Sequence, residues 1–140
     1  MSQLQASREY LSYVTLMIHG KNLEPVEVSR LLHLRPSQSW KRGESTGRTM
    51  PHPWGGWKKS LPKNLMPSPL PTQLRYWVRT LRERTAQIRT LERSTHLCAL
   101  NCYIGSSHTA SIIIPVELQQ SVAALGLELH ISFFANEPDA

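Results

Sequence analysis

Six histidines, two cysteines and ten carboxylates are the side chains of this 140-residue chain that suit catalysis or metal binding. Their spacing points to neither. His19, His33, His52, His96, His108 and His130 include no pair three or four residues apart, so none matches the helical spacing of paired zinc ligands. Cys98 and Cys102 fall four apart in a strand-like run. They face one side, too far apart for compact chelation, and read as inert core thiols. Glycosidase-type or metal-type chemistry needs two carboxylates to converge. Glu27 and Glu44 are the nearest candidates, and Glu44 reads better as a cap or as a partner of Arg42 or a nearby lysine. His52 stands by itself in a loop near Trp54. A nucleophile elbow, a phosphate loop and a dinucleotide fingerprint are absent; Gly43-x-x-x-Gly47 and Gly55-Gly56 lack the strand–helix setting that phosphate binding uses. No catalytic residue, cofactor or metal is therefore expected.

What remains is recognition chemistry. Trp40, Lys41, Arg42, Arg48, Trp54, Trp57, Lys58 and Lys59 interleave aromatic and basic groups. Such clusters hold phosphates and stack bases, and Trp and Arg are also enriched at protein hot spots. Downstream, Arg75, Arg79, Arg82, Arg89 and Arg93 fall within about 80° of one another if 72–93 is one continuous helix. Few acids stand four residues away to pair with them. The bland reading is Trp40 and Trp57 as core anchors, with a solvated basic flank.

Net charge is +6 and unevenly spread. Residues 35–63 carry seven basic groups against Glu44 alone, and 64–93 carry six arginines against Glu83 and Glu92. Residues 94–140 hold four acids and no Lys or Arg. The expected partner surface is Lys41, Arg42, Arg48, Trp54, Lys58, Lys59, Arg75, Arg79 and Arg82 on one shared face. An acidic protein is the first partner expected. Nucleic acid is the alternative, and an enzyme of unknown type the third reading.

The elements that must position these residues follow from periodicity. Residues 10–20 alternate as a strand. Glu24-Pro25 opens a helix that Arg35-Pro36 ends. Short strands fit 37–42 and 56–60, with 43–55 as a loop mobile at its tip. Residues 72–93 are helical, with a possible break near Thr85. Strands at 96–105 and 110–114 bracket a hairpin-like Gly105-Ser106-Ser107-His108. A helix at 116–125 ends at Gly126, and a strand at 127–134 closes the chain. The order β-α-β-β-α-β-β-α-β predicts one α+β domain over 1–140, with 1–9 and 136–140 frayed. The sheet is antiparallel or mixed, with helices mainly on one face. Two βαβ-type units echo each other, each strand followed by x-Pro-Val-Glu and an amphipathic helix. No apolar h-region opens the chain and no apolar run reaches the ~18 residues of a membrane span, so a cytoplasmic protein with no membrane contact is expected.

The series Leu23-Glu24-Pro25-x-Glu27-Val28-x-x-Leu31-Leu32-His33-Leu34-x-Pro36, then Lys41-x-Gly43-Glu44, Gly56-Trp57 and Ser60, resembles a bacterial family of domains of unknown function, DUF4279. The likeness resumes in the late helix and strand through Ala124-Leu125-Gly126 and covers about residues 13 to 134. Trp40 stands where a small residue is expected and Phe134 where tyrosine is common, and 46–55 is this chain's own elaboration. The resemblance supports the fold reading and brings no catalytic residues with it. It implies a small stand-alone bacterial protein and no established activity; the first function expected here is a non-catalytic interaction protein of immunity or regulator type.

Overall fold

The structure, a computed structural model, describes residues 10–45, 47 and 50–135. The expected frayed ends at 1–9 and 136–140, and Arg48, lie outside the described residues.

β1 (Leu11–Gly20) is the spine. Its even positions Val14, Leu16 and Ile18 are fully buried, while Leu11 and Tyr13 stay exposed. This is the period-2 pattern of a sheet covered on one side. α1 (Pro25–Leu32) starts at a proline whose missing N–H costs nothing there, and His33 closes it in the left-handed region at φ 57°. β2 (Gln38–Trp40) and β3 (Gly55–Lys59) follow, then a single 3-10 turn at Lys63–Leu65. The expected long helix is two, α2 (Leu70–Leu81) and α3 (Thr85–Arg93), with the break near Thr85 that the sequence suggested. Arg84 secures that break, donating from Nε to Leu32 O at 2.6 Å and from its guanidinium to Thr80 O. β4 (Leu97–Ser106), α4 (Val116–Ala123) and β5 (Glu128–Ala135) complete the chain.

The sheet order is β2-β3-β1-β4-β5. β1 is antiparallel to both β3 and β4, β2 is antiparallel to β3, and β5 is parallel to β4. The first four strands with α1 and the α2–α3 pair form the interleaved split β-α-β arrangement, in which each crossover skips one strand. The α4–β5 unit is added at one edge. This is the α+β single sheet expected, with one correction. Residues 110–114 are not a strand: they form no ladder and run across the core into α4. β4 already has β1 on one side and β5 on the other, so it has no edge left to pair. The alternation of 110–114 is real but has another cause. Ala110, Ile112 and Ile114 pack on the core while Ile113 points to solvent. The late βαβ unit is therefore β4-α4-β5.

All four helices feed one core with the even-numbered side of β1 and with Cys98, Leu100, Cys102 and Ile104 of β4. Trp77 Nε1 donates to Val14 O at 3.0 Å, and Trp57 Nε1 donates to Ser29 Oγ on α1 at 3.0 Å. Burying both tryptophans with their N–H groups satisfied joins the helix layer to the sheet. Among the described residues the opposite face of the sheet carries no helix.

Candidate binding surface

That helix-free face is where the aromatic and basic residues of the loop gather. The register pairs Trp40 with Gly56, Gly56 with His19, and Lys58 with both Gln38 and Met17. These positions share the side away from the core, because Trp57 between them pairs with the buried Ile18. Trp40 is only 8% exposed although no helix covers it. Its ring lies over Gly56, where a Cβ would overlap it, and stacks on His52 with centroids 4.4 Å apart. Trp40 Nε1 donates to Trp54 O at 3.0 Å. A strand glycine here is what lets an indole approach the backbone.

His19, Trp40, His52, Pro53, Trp54 and Gly55 line an open cleft of about 320 Å³. Trp54 is 50% exposed at its rim. Lys58 Nζ stands 5.8 Å from the Trp40 ring centroid, within cation–π range. Burial, then the charges of Lys58 and His130, hold the His19 pKa below its usual value, so His19 presents a neutral ring at neutral pH. The neck of the loop is hydrogen-bonded, Gly43 N to His52 O and His52 N to Glu44 O, both at 2.7 Å. This seats His52 against Trp40.

The basic residues singled out from sequence do not form one face. Lys41 reaches Glu24 at 3.6 Å and Arg42 reaches Asn22 at 3.5 Å, which ties both to the turn after β1. Lys58 faces the cleft, but Lys59 alternates to the other side and donates to Arg35 O at 2.9 Å. Arg75 is paired with Glu117 on α4 at 3.0 Å, and Arg79 and Arg82 are exposed on the helix layer. The expected shared face is thus divided by the sheet. Lys58 and Trp54 are on one side; Arg75, Arg79 and Arg82 are on the other. The helix break also separates Arg89 and Arg93 from that stripe. Glu44 caps the Lys41 N–H at 2.9 Å, which is the capping role its position suggested.

A groove of about 530 Å³ lies between α1 and α3 and is lined by Asn22, Glu24, His33, Gln87, Leu91 and His96 among others. Glu24 is tied to Lys41 there and Glu27 to Arg30, so neither carboxylate stands unpaired. Cys98 and Cys102 face the core, and burial pushes both thiols up to about 12. Among the described residues no three His, Cys, Asp or Glu side chains converge on a metal position. Among the described residues no helix is long and apolar enough to cross a membrane.

Sequence reasoning missed His19 as a wall of the cleft and missed the stacked Tyr13–Tyr103 pair, 4.9 Å apart, on the same face. Gly56, following Gly55 at the start of a strand and paired with a tryptophan, was the available signal for the first. A family model described as Domain of unknown function (DUF4279) matches residues 8–135. No curated protein matches the chain, and no solved structure does.

Proposed function

The chain belongs to the DUF4279 family, and we propose that it is a non-catalytic binding module, of immunity or regulator type, that docks an acidic protein segment on the helix-free face. One observation carries this reading. The cleft joins a half-exposed Trp54 to a shielded Trp40–His52 stack, and the Lys58 ammonium stands over the Trp40 ring beside it. An exposed indole beside a buried aromatic floor is the anatomy of a hot spot, and a rim lysine adds steering and salt dependence. The reading no longer includes Arg75, Arg79 and Arg82.

Binding of a fluorescent Glu/Asp-rich peptide tests it, measured by anisotropy at two salt concentrations. Trp54→Ala is expected to weaken binding about 30-fold or more, on the scale of hot-spot truncation. Lys58→Glu weakens it and flattens the salt dependence, while Arg79→Glu on the far layer leaves it unchanged. Equal losses from Arg79→Glu and Lys58→Glu overturn the assignment of the face, and no binding by the wild type overturns the function.

Single-stranded nucleic acid is the second reading, favoured by the Tyr13–Tyr103 stack on two adjacent central strands. Neither β1 nor β4 carries a Lys or Arg to hold the phosphates of bases seated there. An oligothymidine that outcompetes the peptide, with a steep salt slope, decides for this alternative.

A further inference from the structure

β5 is an eight-residue edge strand with every position exposed. Leu129, Ile131 and Phe133 share the helix side at 39%, 58% and 62% exposure, and Phe134 on the other side is 47% exposed. Natural edge strands are protected by lysine, proline, bulges or shortness. β2, the opposite edge, is three residues long. β5 has neither shortness nor a single Lys, Arg or Pro.

We propose that β5 is a self-association edge, pairing antiparallel with β5 of a second copy about a two-fold axis at Ile131 and joining two sheets into one of ten strands. Three observations select a second copy as the occupant. First, the sequence is self-complementary about that axis. Residues whose numbers sum to 262 face each other, so Ile131 meets its mate and each Leu129 meets the partner copy's Phe133. On the other face His130 meets Ser132, and each Glu128 lies opposite the partner copy's Phe134. Directly opposed side chains in an antiparallel pair lie about 5 Å apart. Beside Leu129 lies an apolar groove of about 290 Å³ lined by Leu74, Ile114, Val122, Ala123 and Leu127. An engineered cavity of about 150 Å³ accepts benzene, so this groove has room for a phenyl ring. Each copy supplies one Phe133 and one groove.

Second, the exposed apolar side chains supply a large share of the area a dimer needs. At roughly 200 Å² for a large side chain, the exposed fractions of Leu129, Ile131, Phe133 and Phe134 amount to about 400 Å² per copy. That is half of the ~800 Å² each partner buries in a standard interface, before the main-chain edge and groove wall are counted.

Third, charge permits it. The described residues from 94 onward hold no Lys or Arg, and the only ionisable side chains on β5 are Glu128 and its neighbour His130, which hydrogen-bond at 2.8 Å. In this register the two Glu128 residues lie about 20 Å apart along the strands. The basic loop sits at the β2–β3 edge, so the two basic edges lie about 40 Å apart across the joined sheet, several Debye lengths at physiological salt.

Sedimentation velocity from about 1 to about 200 µM tests the proposal on the full chain. A concentration-dependent monomer–dimer equilibrium is expected, with Ile131→Lys and Phe133→Lys each raising the dissociation constant at least about 100-fold. Circular dichroism should show both variants folded, because both positions are solvent-facing in the single chain. Ile131→Cys gives the register. Opposed residues lie close enough for a disulfide, so mild oxidation should yield a covalent dimer, with Ser132→Cys and Leu129→Cys much slower. A wild type that stays monomeric with slow amide exchange in β5 shows the edge covered within one chain and overturns the proposal. Monomer with fast exchange overturns it as well, as does a dimer indifferent to both lysine variants.

Discussion

Gly56→Ala tests the packing of the cleft most directly. Gly56 has no left-handed φ that demands glycine. Its restriction is spatial. A Cβ there would fall within contact of three Trp40 ring carbons, the farthest at 2.8 Å. Carbon contacts are comfortable at about 3.5–4.0 Å and the nearest ring carbon would lie at 2.2 Å, so the indole must withdraw by more than about 1 Å. It then cannot keep both its 3.0 Å hydrogen bond to Trp54 O and its 4.4 Å stack on His52. Losing the hydrogen bond costs about 1 kcal/mol, and losing the aromatic pair costs about 0.5–1.5 kcal/mol. Restricting the unfolded chain by replacing glycine returns about 0.4–1 kcal/mol. The net loss is about 0.5–2 kcal/mol, or a Tm lowered by roughly 2–8 °C for a chain of this size. Denaturant titration and calorimetry read the stability, and a red-shifted tryptophan emission reads the displaced ring. Gly55→Ala is the internal scale. Its Cβ would meet the Leu23 backbone oxygen at 2.6 Å, which cannot swing aside as a side chain does, so the loss there should be larger. A Gly56→Ala protein as stable as wild type with unshifted emission refutes the reasoning.

Gln73 is fully buried on α2, and its Nε2 lies within 2.9–3.3 Å of the carbonyls of Ser12, Leu65, Met66 and Ser68. Gln73→Leu removes the donor but leaves buried acceptors, so denaturant titration should show a loss of about 2–4 kcal/mol. Cys98 and Cys102, with thiols pushed up to about 12 by burial, should resist a thiol reagent at mildly alkaline pH in the native protein; both should react once the chain is unfolded, and rapid native labelling would contradict their placement. His19 and His96 have folded pKa values held below the usual 6.5, mainly by burial. The unfolded chain then binds more protons, so stability is full above pH 6.5 and falls as pH drops from there toward the folded values. His19→Gln should flatten that fall in a pH series of Tm measurements, and a Tm that rises on acidification through this range has the wrong sign.

Local signals made the elements legible. Pro25 and Pro36 bracket α1, and Leu74, Trp77 and Leu81 mark the buried side of α2. Strand pairing is non-local, and there the sequence was silent. Nothing in residues 110–114 distinguishes an alternating strand from an alternating connection. The distinction lies in whether β4 has a free edge, which depends on β1 and β5. The same limit hid the division of the basic residues. Lys58 and Lys59 are adjacent in sequence and opposite in space, because a strand turns each successive side chain over. Leu129, Ile131 and Phe133 alternate in sequence and share one side of β5. What the sequence did not reveal is that the helix layer stops short of that face.

Strand order also gives the charge polarity a meaning that sequence alone lacks. The segment richest in Lys and Arg forms β2, β3 and the loop between them at one edge of the sheet, while the segment with none forms β4 and β5 at the other. A polarity along the chain becomes a gradient across the sheet. The cleft opens at the basic end, where an acidic segment is attracted. The exposed apolar strand lies at the end where a second basic copy meets least repulsion. The two surfaces are therefore separable. Lys58→Glu should weaken peptide binding and leave the monomer–dimer equilibrium unchanged, and Ile131→Lys should do the reverse. A variant that moved both together would mean one surface, and would show that the strand order does not separate the two ends as argued.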